Sequence, residues 1–400
     1  MPATHRFLAA ILAALAAIGP FSIDTYLPAF HDIGAGLAAH AYDVQLTLTF
    51  YMGPFAFMVL WHGALADRFG RRNVILVAMA VFALASLGCA LAPSIHWLWL
   101  GRALQGMSAG AGMVVGRAVV RDVFDGAQAQ RVMSQVMMMF AIAPAIAPII
   151  GGWILALASW RAIFVFLALF GLALLVISAR QLPETLPPDK RQSLHPAALA
   201  RAYLAVVRDP VFLCVTAAVA FNFNGFFIYV LSAPTFLVTH LGLSPQAFGW
   251  LFIPAMVGMM SGAWLSGRLA GTWRPGRTIA AGFVVMALAA ALNLVIHQLG
   301  APGLPASVVP IPLYTFGMAL AMPSLSLIAL DRFPARRGLA ASCQSFMQMA
   351  LNAFTAAITA PLLWASVAHM SFGMAGYLAL GAVAFTLAHR LARRGAVTPQ

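Results

Sequence analysis

The chain is poor in charged residues. Only 8% of its 400 residues are Asp, Glu, Lys or Arg, and ten are acidic. An ordinary soluble domain carries about a quarter charged residues, so this scarcity excludes soluble enzymes, nucleic-acid binders and disordered chains. The hydrophobic fraction of 62% instead matches about twelve membrane spans of about 21 residues each. The composition predicts a polytopic membrane protein.

Residue sets that other chemistries require are also missing. Three cysteines, Cys89, Cys214 and Cys343, lie in apolar runs, which favours small buried side chains over a disulfide framework. No predicted span combines His with an acid at helical spacing, so we expect no metal, no cofactor and no enzyme, and a membrane enzyme is a remote alternative. The sequence has no G-x-x-x-x-G-K-[ST] loop for ATP and no repeated channel filter.

Basic residues fall in short clusters between the apolar runs, despite a net charge of +13 that could suggest a nucleic-acid partner. Of the 23 Lys and Arg residues, twenty lie in one set of connecting and terminal segments. The opposite set of turns holds only Arg161. By the positive-inside rule, both termini are cytoplasmic and the number of spans is even.

Twelve apolar runs have spanning length, and lipid offers no partner to unpaired backbone groups, so all are predicted as helices. They cover 7–30, 43–62, 74–92, 97–119, 131–155, 160–182, 210–232, 246–266, 277–297, 307–330, 339–363 and 371–390. No ten-residue alternation typical of a lipid-exposed barrel is present. The first run is too long for a signal-peptide core and is interpreted as a span.

A polar stretch at 183–209 separates six spans at 1–182 from six spans at 210–400, and we interpret it as a cytoplasmic linker. A weak internal repeat supports two halves, because the segment 63–72 follows span 2 and the segment 267–277 follows span 8. Paired halves of this kind are typical of one transporter architecture, with the substrate site between the halves.

The segment 63–72, Gly-Ala-Leu-Ala-Asp-Arg-Phe-Gly-Arg-Arg, resembles the signature loop of the major facilitator superfamily. Segments 23–29, 102–106 followed by 116–122, and 147–152 resemble the drug:proton antiporter branch and its Bcr/CflA group, although Ala147 stands where Gly is usual. The resemblance implies an all-α fold of twelve helices and proton-coupled efflux of small lipophilic compounds or drugs from a bacterial inner membrane. Export of a metabolite such as an amino acid is the alternative.

Two groups of residues have roles that the resemblance implies. The first is a conformational latch at the cytoplasmic ends of spans 2 to 4, formed by Gly63, Asp67, Arg68, Gly70, Arg71, Arg117, Arg121 and Asp122. Its alternative is a solvated loop with weak surface ion pairs. The second is a hinge or proton seal in span 5, formed by Pro144, Pro148, Gly151 and Gly152. Its alternative is a kinked helix that only packs.

Asp24 is the only carboxylate well inside a predicted span. A buried aspartate costs a few kcal/mol and therefore tends to mark a functional path. If span 1 ends near Phe30 and span 4 begins near His96, Asp24 and Arg102 both lie roughly 9 Å below the outer face. We hypothesise that Asp24 carries the coupling proton and that Arg102 competes for its carboxylate. A static ion pair that fixes helix register is the alternative.

Polar side chains inside the spans are candidates for a substrate cavity. They are Tyr26, Gln45, Thr49, Gln105, Asn222, Asn224, Tyr229, Gln344, Gln348 and Asn352. Hydrogen bonding between helices is the alternative role for each. The 28 Phe and 20 Met residues suit an adaptable apolar cavity. The expected partners are a lipophilic small molecule, the proton and the lipid bilayer, with the chain acting as a monomer.

Overall fold

The computed structural model describes residues 3–124, 126–191, 196–270, 272–300, 303–333 and 337–395, without the side chains of several helical residues, among them 121, 126–131 and 133–141. Over these ranges the chain is helical and contains no strand. It divides into two compact units, Met1–His195 and Pro196–Gln400, with a boundary inside the predicted linker 183–209.

The first unit contains seven α-helices in its described ranges. They are α1 (Ala3–Asp24), α2 (Phe30–Gly36), α3 (Ala41–Phe69), α4 (Arg71–Ala90), α5 (Ile95–Val123), α6 (Gly126–Leu157) and α7 (Trp160–Gln181). Helix α5 packs against α1, α3 and α4, while α6 packs against α1 and α7 against α4. Helix α5 therefore lies among the helices that carry most of the predicted site residues.

The second unit contains eight α-helices where it is described. They are α8 (Pro196–Val207), α9 (Pro210–Leu231), α10 (Gly249–Leu269), α11 (Pro275–Leu299), α12 (Pro310–Asp331), α13 (Arg337–Phe354), α14 (Ala360–Leu362) and α15 (Val367–Gly395). Stretches of π-helix at Pro234–His240 and Thr355–Thr359 follow α9 and α13. Helix α12 packs against α9, α10 and α11, and α15 packs against α9 and α11.

The twelve predicted spans correspond to α1 with α2, α3 to α7, α9 to α13, and α15. Within the described ranges, nine segments are long and apolar enough to cross a membrane. Helix α6 adds a shorter apolar stretch, Ile142–Leu157. Helices α5 and α13 fall below the hydropathy expected of a span because polar and small residues interrupt them, with Arg102 and Arg117 in α5 and three amides in α13. Both helices that fall short thus contain candidate site residues.

Helix α1 breaks in mid-segment, which the sequence analysis did not predict. Pro28 has no N–H for the carbonyl of Asp24, and its ring would collide with that carbonyl in a continuous helix. Helix α1 therefore ends at Asp24, a 3₁₀ turn covers Leu27–Ala29, and α2 continues the apolar segment to Gly36. The predicted end at Phe30 is wrong: Asp24 lies twelve residues, or about 18 Å, from the end of this segment rather than 9 Å.

Candidate functional site

Arg102 lies at the centre of the polar core of the first unit and is completely buried. Its Nη1 donates hydrogen bonds to the Ser22 carbonyl at 2.9 Å, to Ser22 Oγ at 3.1 Å and to Gln105 Oε1 at 2.8 Å. The guanidinium carbon lies 4.3 Å from the ring centroid of Tyr26 and 4.4 Å from that of Tyr51. Backbone and side-chain dipoles and two aromatic faces together stabilise the buried cation.

The broken helix α1 explains why a cation lies here. Ser22 is in the last turn of α1, where carbonyl groups lack partners within the helix and carry the negative end of its dipole. Gln105 extends the network by donating to Ser86 Oγ on α4 at 2.7 Å. Tyr26 extends it to α3, since its hydroxyl lies 2.9 Å from Thr47 Oγ1. The network thus joins four helices of the first unit.

Asp24 lies beside this network but is not bonded to Arg102. The carboxyl is 3% exposed, and its Oδ1 has no hydrogen-bond partner among the residues that the structure describes. None of the ion pairs in the described ranges includes Asp24. The two predicted helices do meet here, but Arg102 binds Ser22, two residues before Asp24, instead of pairing with the carboxylate.

Helix α6 meets α1 at the same break. The helix is continuous through Pro144 and Pro148. Gly151 presents bare backbone to the Thr25 carbonyl, and a Cβ at this position would overlap with that oxygen. Ala147 and Gly152, on either side of Gly151 in the motif, are buried. The predicted hinge motif therefore contacts α1 one residue after Asp24.

Two further predicted cavity residues, Gln45 and Thr49, lie one turn apart on α3. Gln45 is fully buried, and neither atom of its amide group has a hydrogen-bond partner in the described structure. Thr49 Oγ1 is likewise without one there. Leaving a buried polar group unpaired costs about 1–3 kcal/mol. These groups are therefore suited to hydrogen-bond a bound molecule, and substrate contact stays a prediction.

The latch residues meet at the other end of α3. Arg71 forms ion pairs with Asp67 at 2.5 Å and with Asp122 at 3.3 Å. Asp122 also accepts a hydrogen bond from Thr185 at 2.8 Å, and Glu184 accepts one from the Arg71 backbone N–H at 2.9 Å. The ends of α3, α4 and α5 are thus joined with the segment after α7.

A single residue, Gly70, connects α3 to α4. Its φ of 95° lies in the region that favours glycine, and the Glu184 carboxylate occupies the space of a Cβ. Of the other predicted latch residues, Gly63 makes only an ordinary contact with Val114 of α5, and Arg117 is half-buried on α5. The side chain of Arg121 lies outside the described residues. Arg68 does not join the latch and faces a groove on another side of α3.

Glu184 and Thr185 belong to the segment predicted as a linker, and neither was predicted as a site residue. Glu184 is one of only ten acidic residues and directly follows the sixth span, next to no basic residue. A lone acid at this place could have been recognised as a partner for the arginines of segment 63–72, since clustered arginines need acidic partners. The contact to Arg71 joins residues 113 positions apart, a separation that no local pattern reports.

The predicted polar residues of the second unit mostly bond to one another. Asn224 Nδ2 donates to Asn352 Oδ1 at 2.9 Å between α9 and α13, and Gln348 donates to the same oxygen at 3.0 Å. Tyr229 accepts a hydrogen bond from Asn293 on α11 at 2.7 Å. The bonds from Asn224 to Asn352 and from Asn293 to Tyr229 match the interhelical alternative, whereas Gln348 and Asn352 lie on the same helix.

The two remaining predicted amides have separate surroundings. Gln344 donates to Ser326 on α12 at 3.1 Å. Asn222 packs against Gly381 of α15, and its side-chain atoms have no hydrogen-bond partner among the residues described. The ten predicted cavity residues thus do not form one cluster within either unit.

Asp209 and Arg332 form an ion pair at the N-terminus of α9 in the second unit. Asp209 caps the helix by accepting from the Phe212 N–H at 2.8 Å, and Arg332 donates to it at 2.7 Å. Partial burial raises the pKa of Asp209, but the hydrogen bonds from Arg332 and the backbone outweigh it, so the pKa is lowered overall.

Long apolar helices that enclose a buried cation and a buried carboxyl are typical of multi-pass membrane transporters. Residues 9–356 match the family model of the Major Facilitator Superfamily. The chain belongs to this superfamily, which confirms the family and the all-helical fold predicted from the sequence.

Similar proteins agree with this assignment. The uncharacterized MFS-type transporter YdgK of Bacillus subtilis (strain 168) is 34% identical over 89% of this chain and 88% of its own length. The bicyclomycin resistance protein homolog of Haemophilus influenzae is 28% identical over 94% of each chain. Multidrug resistance protein D of Escherichia coli (strain K12) is 28% identical over 88% of each chain.

Solved structures agree on the fold alone. A D-xylose-proton symporter gives a TM-score of 0.72 at 16% identity, covering 95% of this chain and 96% of its own. The human organic anion transporter MFSD10 gives 0.69 at 19% identity, covering 97% and 100%.

Proposed function

We propose that this protein exports small lipophilic compounds, including drugs, in exchange for protons by alternating access. We place it in a bacterial inner membrane as a monomer with both termini cytoplasmic. The names of two relatives support the substrate class, since they are called bicyclomycin and multidrug resistance proteins. The one-sided distribution of Lys and Arg supports the orientation.

The observation that carries proton coupling is the isolation of Asp24. Its carboxyl is buried at the end of α1, and the adjacent cation already bonds to Ser22 and Gln105. A charged carboxylate left there without a cation would be costly. A proton on Asp24 removes that charge, so we assign the described arrangement to the protonated carboxyl.

Proton release would change the helix contacts around this site. The carboxylate would attract Arg102, which lies beside the same helix end, away from the Ser22 carbonyl and the faces of Tyr26 and Tyr51. The end of α1, where Gly151 of α6 contacts Thr25, would then lose one of its bonds. Proton release is thereby linked to the packing of α1 against α5 and α6.

The test compares Asp24→Asn with wild-type protein in proteoliposomes. We expect the variant to lose substrate accumulation driven by an imposed pH gradient, because Asn cannot exchange a proton. It should keep exchange of labelled for unlabelled substrate, which needs no net proton movement and reports an intact fold. Asp32→Asn, an exposed carboxylate of α2, is the matched control and should behave as wild type.

Gradient-driven accumulation at the wild-type rate by Asp24→Asn would overturn the assignment of the proton site. The substrate class has a separate test in a bacterium that lacks its own exporters. Cells that produce the protein should tolerate bicyclomycin and lipophilic dyes better, and an uncoupler should remove the effect. Export of amino acids without protection from these compounds would favour the metabolite alternative.

A further inference from the structure

The first unit contains a groove that the proposed transport mechanism does not use. Its volume is about 610 Å³, and it lies between α3, α4 and α5. Its walls are largely apolar, with Val74, Val77 and Val81 on one side. Val77 is 64% exposed, so the groove opens on the outer surface of the unit.

Two arginines line one end of this groove, Arg68 at the end of α3 and Arg191 after α7. Among the described residues Arg68 forms no ion pair, and its guanidinium lies 5.4 Å from the Phe69 ring. Arg191 approaches Glu184 only to 3.9 Å. Arg71, three residues after Arg68, instead has two carboxylate partners. The groove therefore ends in two cations whose hydrogen-bonding capacity is largely unused.

A third polar group lies deeper in the groove. His62 is only 2% exposed, and its Nδ1 has no hydrogen-bond partner in the part of the chain that the structure describes. It lies six residues before Arg68 on α3, or about 9 Å along the helix. Either ring nitrogen can donate or accept a hydrogen bond, depending on the tautomer. Along α3, the lining thus changes from a cation at Arg68 to a polar ring at His62 and to an apolar side chain at Met58.

The length of the groove matches one leaflet of a bilayer. From Arg68 to Met58, the deepest lining residue on α3, there are ten residues, which span about 15 Å. The hydrocarbon core of a bilayer is about 30 Å thick, so one leaflet contributes about 15 Å. A phospholipid presents its phosphate, ester groups and acyl chain in the same order as the groove presents cations, a polar group and an apolar wall.

We propose that this groove holds an anionic phospholipid of the leaflet at the Arg68 end of α3. Arg68 and Arg191 bind its phosphate, His62 faces its ester region, and an acyl chain lies against the valines of α4. Each basic side chain near a membrane surface raises the affinity for an anionic headgroup about fivefold. The proposal is independent of the transport function, since it requires only that the unit is embedded in lipid.

The test is native mass spectrometry of the delipidated full-length protein, titrated with phosphatidylglycerol and, separately, with phosphatidylcholine. We expect wild-type protein to prefer phosphatidylglycerol. Arg68→Gln and Arg191→Gln should each weaken its binding about fivefold and the double variant about 25-fold, with little change for phosphatidylcholine. Arg180→Gln removes an exposed arginine of the last turn of α7 outside the groove, and it should bind as wild type does.

Two additional measurements identify the ligand. Val77→Trp narrows the groove without changing the charge and should weaken binding of both lipids. Glycerol 1-phosphate, which has the headgroup chemistry but no acyl chain, should fail to displace phosphatidylglycerol. Equal weakening by Arg180→Gln, wild-type affinity in the double variant, or displacement by glycerol 1-phosphate at matched concentration would each overturn the proposal.

Discussion

The two units bury polar groups of different kinds. The first encloses a cation and a carboxyl, Arg102 and Asp24, at the break in α1. In the second, no Asp, Glu, Lys or Arg is buried among the described residues, and amides such as Asn224 and Asn352 bond to each other. Neutral amides satisfy one another at modest cost, whereas a buried charge responds to proton binding. The difference supports our proposal that proton coupling depends on the first unit.

The connection that follows the second span of each unit, α3 or α10, also differs between the two units. In the first unit, Gly70 alone joins α3 to α4 beneath the side chain of Glu184. In the second, α10 ends at Leu269 and α11 begins at Pro275, so the connection is longer. The sequence repeat places Gly271 where the first half has Asp67. The repeat therefore keeps the first glycine, Gly63 and Gly267, but not the acid that pairs with Arg71 in the first unit.

The largest effect expected from this comparison is that of Arg102→Gln. The change leaves the Ser22 carbonyl and two aromatic faces without their cation, so we expect loss of transport and destabilisation of about 2–4 kcal/mol. Arg102→Lys keeps the charge but not the planar guanidinium, so it should restore stability only in part. Thermal unfolding and substrate exchange in the same preparation measure both effects.

Arg161→Gln is the matched control for this change. Arg161 also donates to a backbone carbonyl, that of Ala92 at 3.0 Å, and lies 4.2 Å from the Trp160 ring centroid, but it is only half-buried. Its loss should therefore cost less than about 1 kcal/mol. Full transport by Arg102→Gln would remove the distinction between the two units.

A smaller effect is expected for Gly70→Ala, which sharpens the comparison of the two connections. The added Cβ requires an unfavourable backbone conformation and displaces the Glu184 carboxylate, so we expect a loss of about 1–3 kcal/mol. Gly276→Ala, at the start of α11, meets no atom within 4 Å and should be nearly neutral. Similar melting temperatures for the two variants would show that the latch contributes little.

The smallest effect concerns the amides of the second unit. A double-mutant cycle of Asn224→Ala and Asn352→Ala should give a coupling energy of about 0.6 kcal/mol, the typical value for a hydrogen bond between membrane helices. Proton coupling should persist in both single variants, as measured by accumulation under a pH gradient. Loss of coupling in Asn352→Ala alone would place a proton-linked group in the second unit.

Much of the fold could be predicted from the sequence, because apolar runs and Lys and Arg counts report helices that lipid requires. The depth argument brought Arg102 to α1, although it took the first span to end at Phe30 and the apolar segment continues to Gly36. The pair with Asp24 is absent from the described arrangement, because the helix end created by Pro28 supplies a carbonyl that the guanidinium caps instead. Glu184 could not be found by pattern, because its role depends on a contact between distant segments.

The one-residue link at Gly70 also has a practical consequence for spectroscopy. Two probes placed near the shared end of α3 and α4 have almost no freedom to separate while both helices stay folded. Their distance should remain constant through the transport cycle, and it can serve as an internal ruler against which distances elsewhere are calibrated. A pair of spin labels on these two helices would therefore distinguish a real rearrangement from damage caused by labelling.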